Sequence, residues 1–312
     1  MRPAVEGEAV MIGRMLAASA IGLMFATSGA GAFEYRGLCE ASAGAFLDDK
    51  HFVVASDETN VLQLYERGKP DPIEDIDLRK SLSFKKSDLE AAAVIGNRVY
   101  WISSHSLTRE ERKDKDERKV FFATRIGAAG GKPTLELDGA VATNLRKPLL
   151  KAADVKKKRL EIEALAATPN GELLIGLRGP LDDDGMALVV PFKNPAAVVE
   201  QGAAPDFGEA VPIDLGERGL RSMDLIPGGG ARYVIVAGPV RKGDGFAIFR
   251  WDGPGTKPKK IKGVDLDGLK PEGAMAVPGT NLVQLLSDDD DICSDKDKKS
   301  KRRFRSIDIK LE

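Results

Sequence analysis

Glu161-Ile-Glu-Ala-Leu-Ala-Ala-Thr-Pro-Asn-Gly-Glu-Leu-Leu-Ile-Gly-Leu-Arg178 contains two apolar runs that are joined by Asn170-Gly171. Asn-Gly between two such runs is a strong signal for a β-hairpin, because the tight turn needs positive φ at its central residues. The two strands of a hairpin are antiparallel. Glu163, at the start of the first run, and Arg178, at the end of the second, are therefore expected at the same end of the unit.

The same layout recurs along the chain: a charged residue, an apolar run, a turn, a second run and then a third. The copies start at intervals of 51 to 73 residues, at Arg36, Glu90, Glu163, Arg221 and Glu272. Blades of a β-propeller are about 40–50 residues long, with insertions in their loops. Five similar antiparallel sheets are most simply arranged radially, because a ring leaves only short strand edges exposed.

The sequence thus predicts an all-β fold, a β-propeller of at least five blades that closes between the first and last blades. The interval of 73 residues after Glu90 could contain a sixth, degenerate blade. Within that interval, residues 144–158 are locally basic and could instead form a short helix packed on the ring.

Composition and charge set the class of the protein. The chain has 312 residues with 42% hydrophobic content, and we expect one domain over residues 33–312, acting as a monomer. Its formal net charge is −1, so no overall field favours nucleic acid or an anionic membrane as a partner.

The N-terminus has the pattern of an export signal over residues 1–32. A basic residue, Arg14, precedes an apolar run over residues 15–25, and Ala30-Gly31-Ala32 matches a cleavage site. The alternatives are an uncleaved anchor, for which the run is short, or a buried helix. The signal predicts a periplasmic or secreted protein.

Export changes the interpretation of the two cysteines, Cys39 and Cys293. An even pair in an oxidising compartment predicts a disulfide. Cys39 lies in the first copy and Cys293 in the last, so the two can meet only if those copies are neighbours, as in a closed ring. The alternative is two unpaired thiols.

In a ring, the copy starts and the ends of the second strands converge at one mouth of the central channel. The candidate metal ligands there are the carboxylates Asp57, Glu90, Glu163, Glu272 and Asp288, and calcium, which takes six to eight oxygens, is the possible cofactor. The candidate residues for an anionic ligand are the arginines Arg36, Arg178 and Arg221. His105 follows an aromatic strand and is the candidate acid/base.

Each of these residues also has a structural interpretation. A glutamate at the start of a blade can simply accept backbone hydrogen bonds from the neighbouring blade. His105 lies in the polar run Ser103-Ser-His-Ser106 and can equally be a buried polar residue. The usual nucleophile, zinc-protease and P-loop motifs do not occur in the sequence.

Several runs together resemble a bacterial family known only as a domain of unknown function, number thirty-six-sixteen. They include RGLCEASA (36–43), ASDETNVLQLY (55–65), RVYWISSHS (98–106), RGLRSMDLIP (218–227) and FAIFRWDG (246–253). The resemblance covers about residues 36–290. It implies an exported protein and no established activity.

More loosely, the repeated Glu before a strand and Ser-Asp after one are similar to the phytase-like, lactonase and strictosidine-synthase propellers. That likeness implies calcium at the channel mouth, held by the five carboxylates named above, and cleavage of esters or phosphoesters with His105 as acid/base. Arg36 and Arg221 depart from the pattern, since positive charge at the mouth disfavours a cation and favours an anion.

Two functions follow from these residues. The first is an exported propeller that binds a small-molecule or protein ligand at one mouth of its channel. The alternative is a metal-assisted hydrolase, in which Glu163 and Glu272 help to hold the metal and His105 moves the proton.

Overall fold

The computed structural model of this protein describes residues 32–108, 113–155, 160–228, 232–240, 245–294 and 296–311. These residues form five antiparallel sheets of four strands each. The first sheet consists of β2 (Ala43–Phe46), β3 (His51–Ser56), β4 (Thr59–Glu66) and β5 (Glu74–Asp77). The second consists of β6 (Leu89–Ile95), β7 (Arg98–Ser103), β8 (Phe121–Ala129) and β9 (Lys132–Leu137).

The remaining sheets repeat this order. The third sheet consists of β10 (Glu161–Ala167), β11 (Leu173–Gly179), β12 (Ala187–Phe192) and β13 (Val211–Ile213). The fourth consists of β14 (Gly219–Leu225), β15 (Tyr233–Gly238), β16 (Ala247–Trp251) and β17 (Lys259–Lys260). The fifth consists of β18 (Pro271–Ala276), β19 (Leu282–Ser287), β20 (Arg303–Lys310) and the N-terminal β1 (Phe33–Arg36).

The sheets are the five blades of a β-propeller, which confirms the predicted fold class. The first strand of each blade is the innermost, and neighbouring inner strands contact one another in the order β2, β6, β10, β14 and β18. β18 also contacts β2. The opening hairpin is present, with Ala167 paired to Leu173. Its turn is longer than predicted, because residues 168–172 connect the strands and, of Asn170 and Gly171, only Gly171 has positive φ, at +80°.

The idea of a sixth blade after the second one is wrong for the residues that the structure describes. That interval contains the helix α2 (Arg146–Ala152) instead, after the single turn α1 (Arg79–Leu82) and before α3 (Pro195–Gln201). Leu149 of α2 and Leu145, which directly precedes the helix, are buried in the core shared by the second and third sheets. The short helix predicted from the sequence is therefore confirmed.

Small residues in the inner strands allow the five sheets to converge. Ala164 and Ala166 are fully buried in β10, and the inner strands β2, β6 and β18 also contain two or three alanines each, whereas β14 contains none. A Cβ on Gly176, in the adjoining β11, would lie 2.7 Å from a Leu220 methyl group and 2.8 Å from Ala164. Larger side chains at these positions would force the blades apart, since close-packed interiors tolerate little added volume.

The first and last blades are joined in two ways. β1 pairs antiparallel with β20, so the N-terminal strand becomes the outermost strand of the fifth blade. The predicted disulfide between Cys39 and Cys293 is present, with a Cα–Cα distance of 5.6 Å across 254 residues of sequence.

The compact unit begins at Ala32. The predicted signal segment over residues 1–32 falls almost entirely outside the described residues, so it stays a prediction. Within the part of the chain that the structure describes, no helix has the length and apolar character that crossing a membrane requires.

Candidate functional site

Four inner strands each carry one charged residue at the same structural position. These residues are Glu90, Glu163, Arg221 and Glu272. At each of them the pairing between the inner strand and the second strand of the blade shifts by one residue, so that the charged residue is the extra residue of a β-bulge. A bulge interrupts the ladder and re-aims the side chain of its extra residue. In the first blade Ser42, just before β2, donates its N–H to the carbonyl of Ala55 at 3.1 Å. At this position the five blades thus carry three carboxylates, one arginine and one hydroxyl. We call the end of the ring where these residues lie the mouth.

One side of the mouth is a closed network of ion pairs, which we call the paired half (Glu163, Arg178, Arg221 and Glu272). Arg221 Nε lies 2.9 Å from Glu163 Oε2, and its Nη2 contacts Glu272 of the next blade. Arg178 Nη1 donates to Glu163 Oε1 at 2.8 Å, as expected for two residues at the same end of one hairpin. Arg221 and Glu163 are each only 7% exposed. These residues tie the third, fourth and fifth blades together.

The space for Arg221 comes from Gly238 in the adjoining strand β15. A Cβ there would lie 2.6 Å from Arg221 Cγ. The guanidinium carbon lies 5.9 Å from the centre of the Phe246 ring. Burial lowers the pKa of Arg221, and the Glu163 carboxylate opposes that effect. The arginine is therefore held as a cation between two carboxylates.

The other side of the mouth, the unpaired half (Asp57, Asp88, Glu90 and Asp288), has an excess of negative charge. Asp57, Asp88 and Glu90 each place one carboxylate oxygen within 4.8 Å of the others. Among the described residues, Asp57, Glu90 and Asp288 form no ion pair. Asp57 Oδ1 is buried and accepts no hydrogen bond from any residue in the described ranges. The unpaired half thus contains carboxylate oxygens that lack a positive partner.

Burial and repulsion between carboxylates raise the pKa values of Glu90, Asp88 and Asp288. Burial raises the pKa of Glu90 well above its ordinary value, and the carboxylates of Glu163, Asp88 and Asp57 raise it further. Burial also raises the pKa of Asp288 to about 6. The pKa of Asp88 is raised by burial although Arg118 opposes the shift. The raised pKa values mean that folding disfavours the charged forms of these groups, so a nearby cation would stabilise their ionised forms.

Asp88 is a site residue that the sequence analysis missed. It precedes β6 with φ of +54°, accepts a hydrogen bond from Ser104 Oγ and pairs with Arg118. Arg118 Nη2 also donates to Ser106 Oγ at 2.6 Å. A signal was present: Ser87-Asp88 repeats the Ser-Asp of 56–57 and 287–288, but before a strand rather than after one.

The predicted place of Arg36 at the mouth is wrong. Arg36 ends β1, which is the outermost strand of the fifth blade, and the first blade starts only at β2. Its guanidinium is exposed and pairs with Asp71 at 3.2 Å. The segment before Cys39 completes the preceding blade, so it does not begin a copy of its own.

His105 is fully buried, which favours the structural interpretation over the role of acid/base. Its Nδ1–H donates to the carbonyl of Ser103 at 2.9 Å, and its own carbonyl accepts a hydrogen bond from Arg146. Burial lowers the pKa of His105 to about 4, with a smaller contribution from Arg146, so the imidazole is neutral at pH 7. Its backbone has φ of +52°, in the left-handed region.

We expect His105→Asn to lower the free energy of unfolding by about 1 kcal/mol and His105→Val by about 3 kcal/mol. Asparagine tolerates the left-handed region and keeps a donor, whereas a β-branched residue is strained there by about 1–3 kcal/mol. Urea unfolding of both variants measures the difference. Equal losses for the two variants would show that the backbone conformation at residue 105 does not decide the cost.

Comparison with known proteins supports the fold. No family model and no curated protein match the chain. A GH43 β-1,3-galactosidase solved with galactodeoxynojirimycin is similar with a TM-score of 0.51 at 10% identity, over 90% of this chain and 94% of that one. At this identity the likeness concerns the fold alone.

Two bacterial β-propellers are similar at lower scores. Myxococcus xanthus glutaminyl cyclase has a TM-score of 0.46 at 14% identity, over 90% of this chain and 96% of that one. The PQQ-bound aldose sugar dehydrogenase of Streptomyces coelicolor has a TM-score of 0.47 at 11% identity, over 89% and 96%. The resemblance to the family of unknown function stays a prediction.

Proposed function

We propose that this protein is an exported ligand-binding β-propeller whose ligand site is the unpaired half of the channel mouth, with a divalent cation held by Asp57, Asp88 and Glu90. One observation supports this most directly: the three residues bring carboxylate oxygens within 4.8 Å of one another, and Asp57 Oδ1 is buried without a hydrogen-bond donor. Hard cations such as calcium take carboxylate oxygens as ligands. These residues therefore fit calcium as the first ligand.

The positions of the arginines remove the main objection to a cation. The sequence analysis predicts two arginines, Arg36 and Arg221, near the proposed metal ligands, where their positive charge would disfavour a cation. Arg36 lies on an outer strand, and Arg221 is neutralised by Glu163 and Glu272. Two cations stay near the cluster, Arg118, which pairs with Asp88, and Lys86, which pairs with Glu58. Asp57, Glu58, Asp88 and Glu90 outnumber them, which favours a cation over an anion as the first ligand.

The proposal does not extend to catalysis. The predicted hydrolase depended on His105 as the group that moves the proton. A general acid or base must come within hydrogen-bond reach of its substrate, and the His105 ring is buried. Binding therefore accounts for the described geometry better than hydrolysis does.

Export is supported by the chemistry of the cysteines. The Cys39–Cys293 disulfide is of the kind that persists in oxidising compartments such as the periplasm or the extracellular space. It agrees with the signal pattern at the N-terminus. A periplasmic or secreted location is thus part of the proposal.

We expect calcium at about 100 times its dissociation constant to raise the melting temperature by roughly 5 °C. A ligand that binds only the folded state stabilises it by about 2.7 kcal/mol at that ratio, and a domain of this size gains roughly 2 °C per kcal/mol. Thermal melts of residues 33–312 with calcium and with EDTA measure the rise. The Asp57→Asn/Glu90→Gln variant is expected to lose it.

The matched control is Asp183→Asn/Asp184→Asn, which removes two carboxylates from an exposed loop of the third blade. This control is expected to keep the calcium response of the wild type. Loss of the response in both variants would indicate a general effect of charge. An equal response in all three proteins would refute the cation site.

The calcium response is expected to shrink from pH 7.5 to pH 5.5. The folded-state pKa values of Glu90, Asp88 and Asp288 are raised, so protons compete with the cation as the pH falls. In EDTA the contribution of these three carboxylates has the opposite sign: they bind protons more tightly in the folded state, so the stability that they contribute is greatest at low pH and is lost as the pH rises through those values. His105, whose pKa is lowered, contributes in the other direction, so the Asp57→Asn/Glu90→Gln variant is melted beside the wild type to isolate the carboxylates. The same melts at the two pH values measure both trends.

A further inference from the structure

We propose that a cleft beside the unpaired half binds the oxyanion of a small ligand, a phosphate or a carboxylate, and that it does so more tightly when the cation is bound. This inference rests on the proposed function and deepens it. The cleft has a volume of about 430 Å³. It lies between the segment at residues 83–88, which leads into the second blade, and Thr108, Glu117 and Arg118 of the second blade itself.

The wall of the cleft offers several hydrogen-bond donors, and two of them, Lys85 Nζ and Arg118 Nε, have no partner among the described residues. Lys85 is exposed and forms no ion pair with the described residues. Arg118 Nε is buried and donates no hydrogen bond to the residues that the structure describes. Lys86, which pairs with Glu58, and the hydroxyls of Ser83 and Thr108 complete the set. A guanidinium beside an ammonium matches the geometry of phosphate and carboxylate groups.

Two carboxylates, Asp88 and Glu117, also line the cleft. They lie beside Asp57 and Glu90, which have no ion-pair partner among the described residues. Without a bound cation, these carboxylates therefore repel an anion that approaches the mouth. A divalent cation between Asp57, Asp88 and Glu90 cancels most of this repulsion. The order of binding follows from this charge balance, with the cation first and the anion second.

Asp88 links the two subsites directly. Its carboxylate is a member of the cation cluster and is also the ion-pair partner of Arg118. A cation that takes an oxygen of Asp88 competes with Arg118 for it. The guanidinium then has donors free for an oxyanion in the cleft. By linkage the anion must tighten cation binding by the same factor.

The experiment is isothermal titration calorimetry of the folded protein with phenyl phosphate and with benzoate, each in calcium and in EDTA. The two probes share an aromatic ring and differ in the oxyanion, so the tighter one identifies the preferred group. We expect about a tenfold lower Kd in calcium than in EDTA for at least one probe, within the usual range of coupling between sites. Lys85→Glu is expected to weaken that binding about tenfold.

The matched control is Lys257→Glu, the same charge change at an exposed lysine of the fourth blade. It is expected to leave the Kd unchanged. Binding that is equal in calcium and EDTA, equal losses in the two lysine variants, or no binding of either probe would overturn the inference. If calcium still raises the melting temperature in that case, the cation site stands and only the oxyanion subsite fails. If calcium has no effect, both proposals fail together.

Discussion

Replacing both cysteines, as Cys39→Ala/Cys293→Ala, is expected to lower the free energy of unfolding by about 3–5 kcal/mol. The disulfide spans 254 residues and so constrains nearly the whole unfolded chain. The entropy model gives about 5 kcal/mol for a loop of this length, and measured losses are often smaller. Both side chains are buried, so alanine adds no polar group to the junction. Urea unfolding of the variant against the oxidised wild type measures the loss.

Dithiothreitol provides the control for this prediction. It is expected to destabilise the wild type by a similar amount and to leave the double variant unchanged. A second tie at the same junction could weaken the effect: Asp289 is fully buried, pairs with Arg305 at 2.6 Å and donates its N–H to the carbonyl of Cys39. If reduction costs less than about 1 kcal/mol, this tie and the β1–β20 pairing hold the first and last blades together without the disulfide.

The fold was predictable because its signals are local. The hairpin at Asn170-Gly171 is encoded by a turn that only a few residue types adopt, and its repetition indicates a ring. The identity of the closing strand is not local. Phe33 pairs with Ser306 across nearly the whole chain, and a four-residue strand gives no pattern that distinguishes an outer position from an inner one. This is why Arg36 was assigned to the wrong blade.

The candidate site was predictable where strand geometry decides it. Glu163 and Arg178 had to meet because antiparallel strands bring the start of one beside the end of the other. Burial was not predictable in the same way. His105 resembles an acid/base in sequence, yet the helix after the second blade supplies Arg146, which covers its carbonyl. Arg118 was missed because its partner Asp88 is distant in sequence and lies outside both strands.

Arg221→Met is expected to lower the free energy of unfolding by about 3–5 kcal/mol. The substitution keeps much of the side-chain volume. Glu163 keeps its ion pair with Arg178, but Glu272 loses the only ion-pair partner that it has among the described residues. Removing one partner of a buried ion pair costs this much because the remaining charge is buried and uncompensated. Urea unfolding at pH 7.5 in EDTA measures the loss. Adding Glu272→Gln to Arg221→Met is expected to recover much of it, because Glu163 still neutralises Arg178.

Glu90→Gln is expected to change the free energy of unfolding in the opposite direction, although Glu90 lies at the equivalent bulge of the second blade. Glu90 forms no ion pair with described residues and is repelled by Glu163, Asp88 and Asp57. Its neutralisation is therefore expected to stabilise the protein in EDTA, by about 1 kcal/mol, since a raised pKa means that folding disfavours the charged form. A loss of stability in Glu90→Gln comparable to that in Arg221→Met would mean that both halves of the mouth are structural. Opposite signs would assign the paired half to stability and leave Glu90, Asp57 and Asp88 for a ligand.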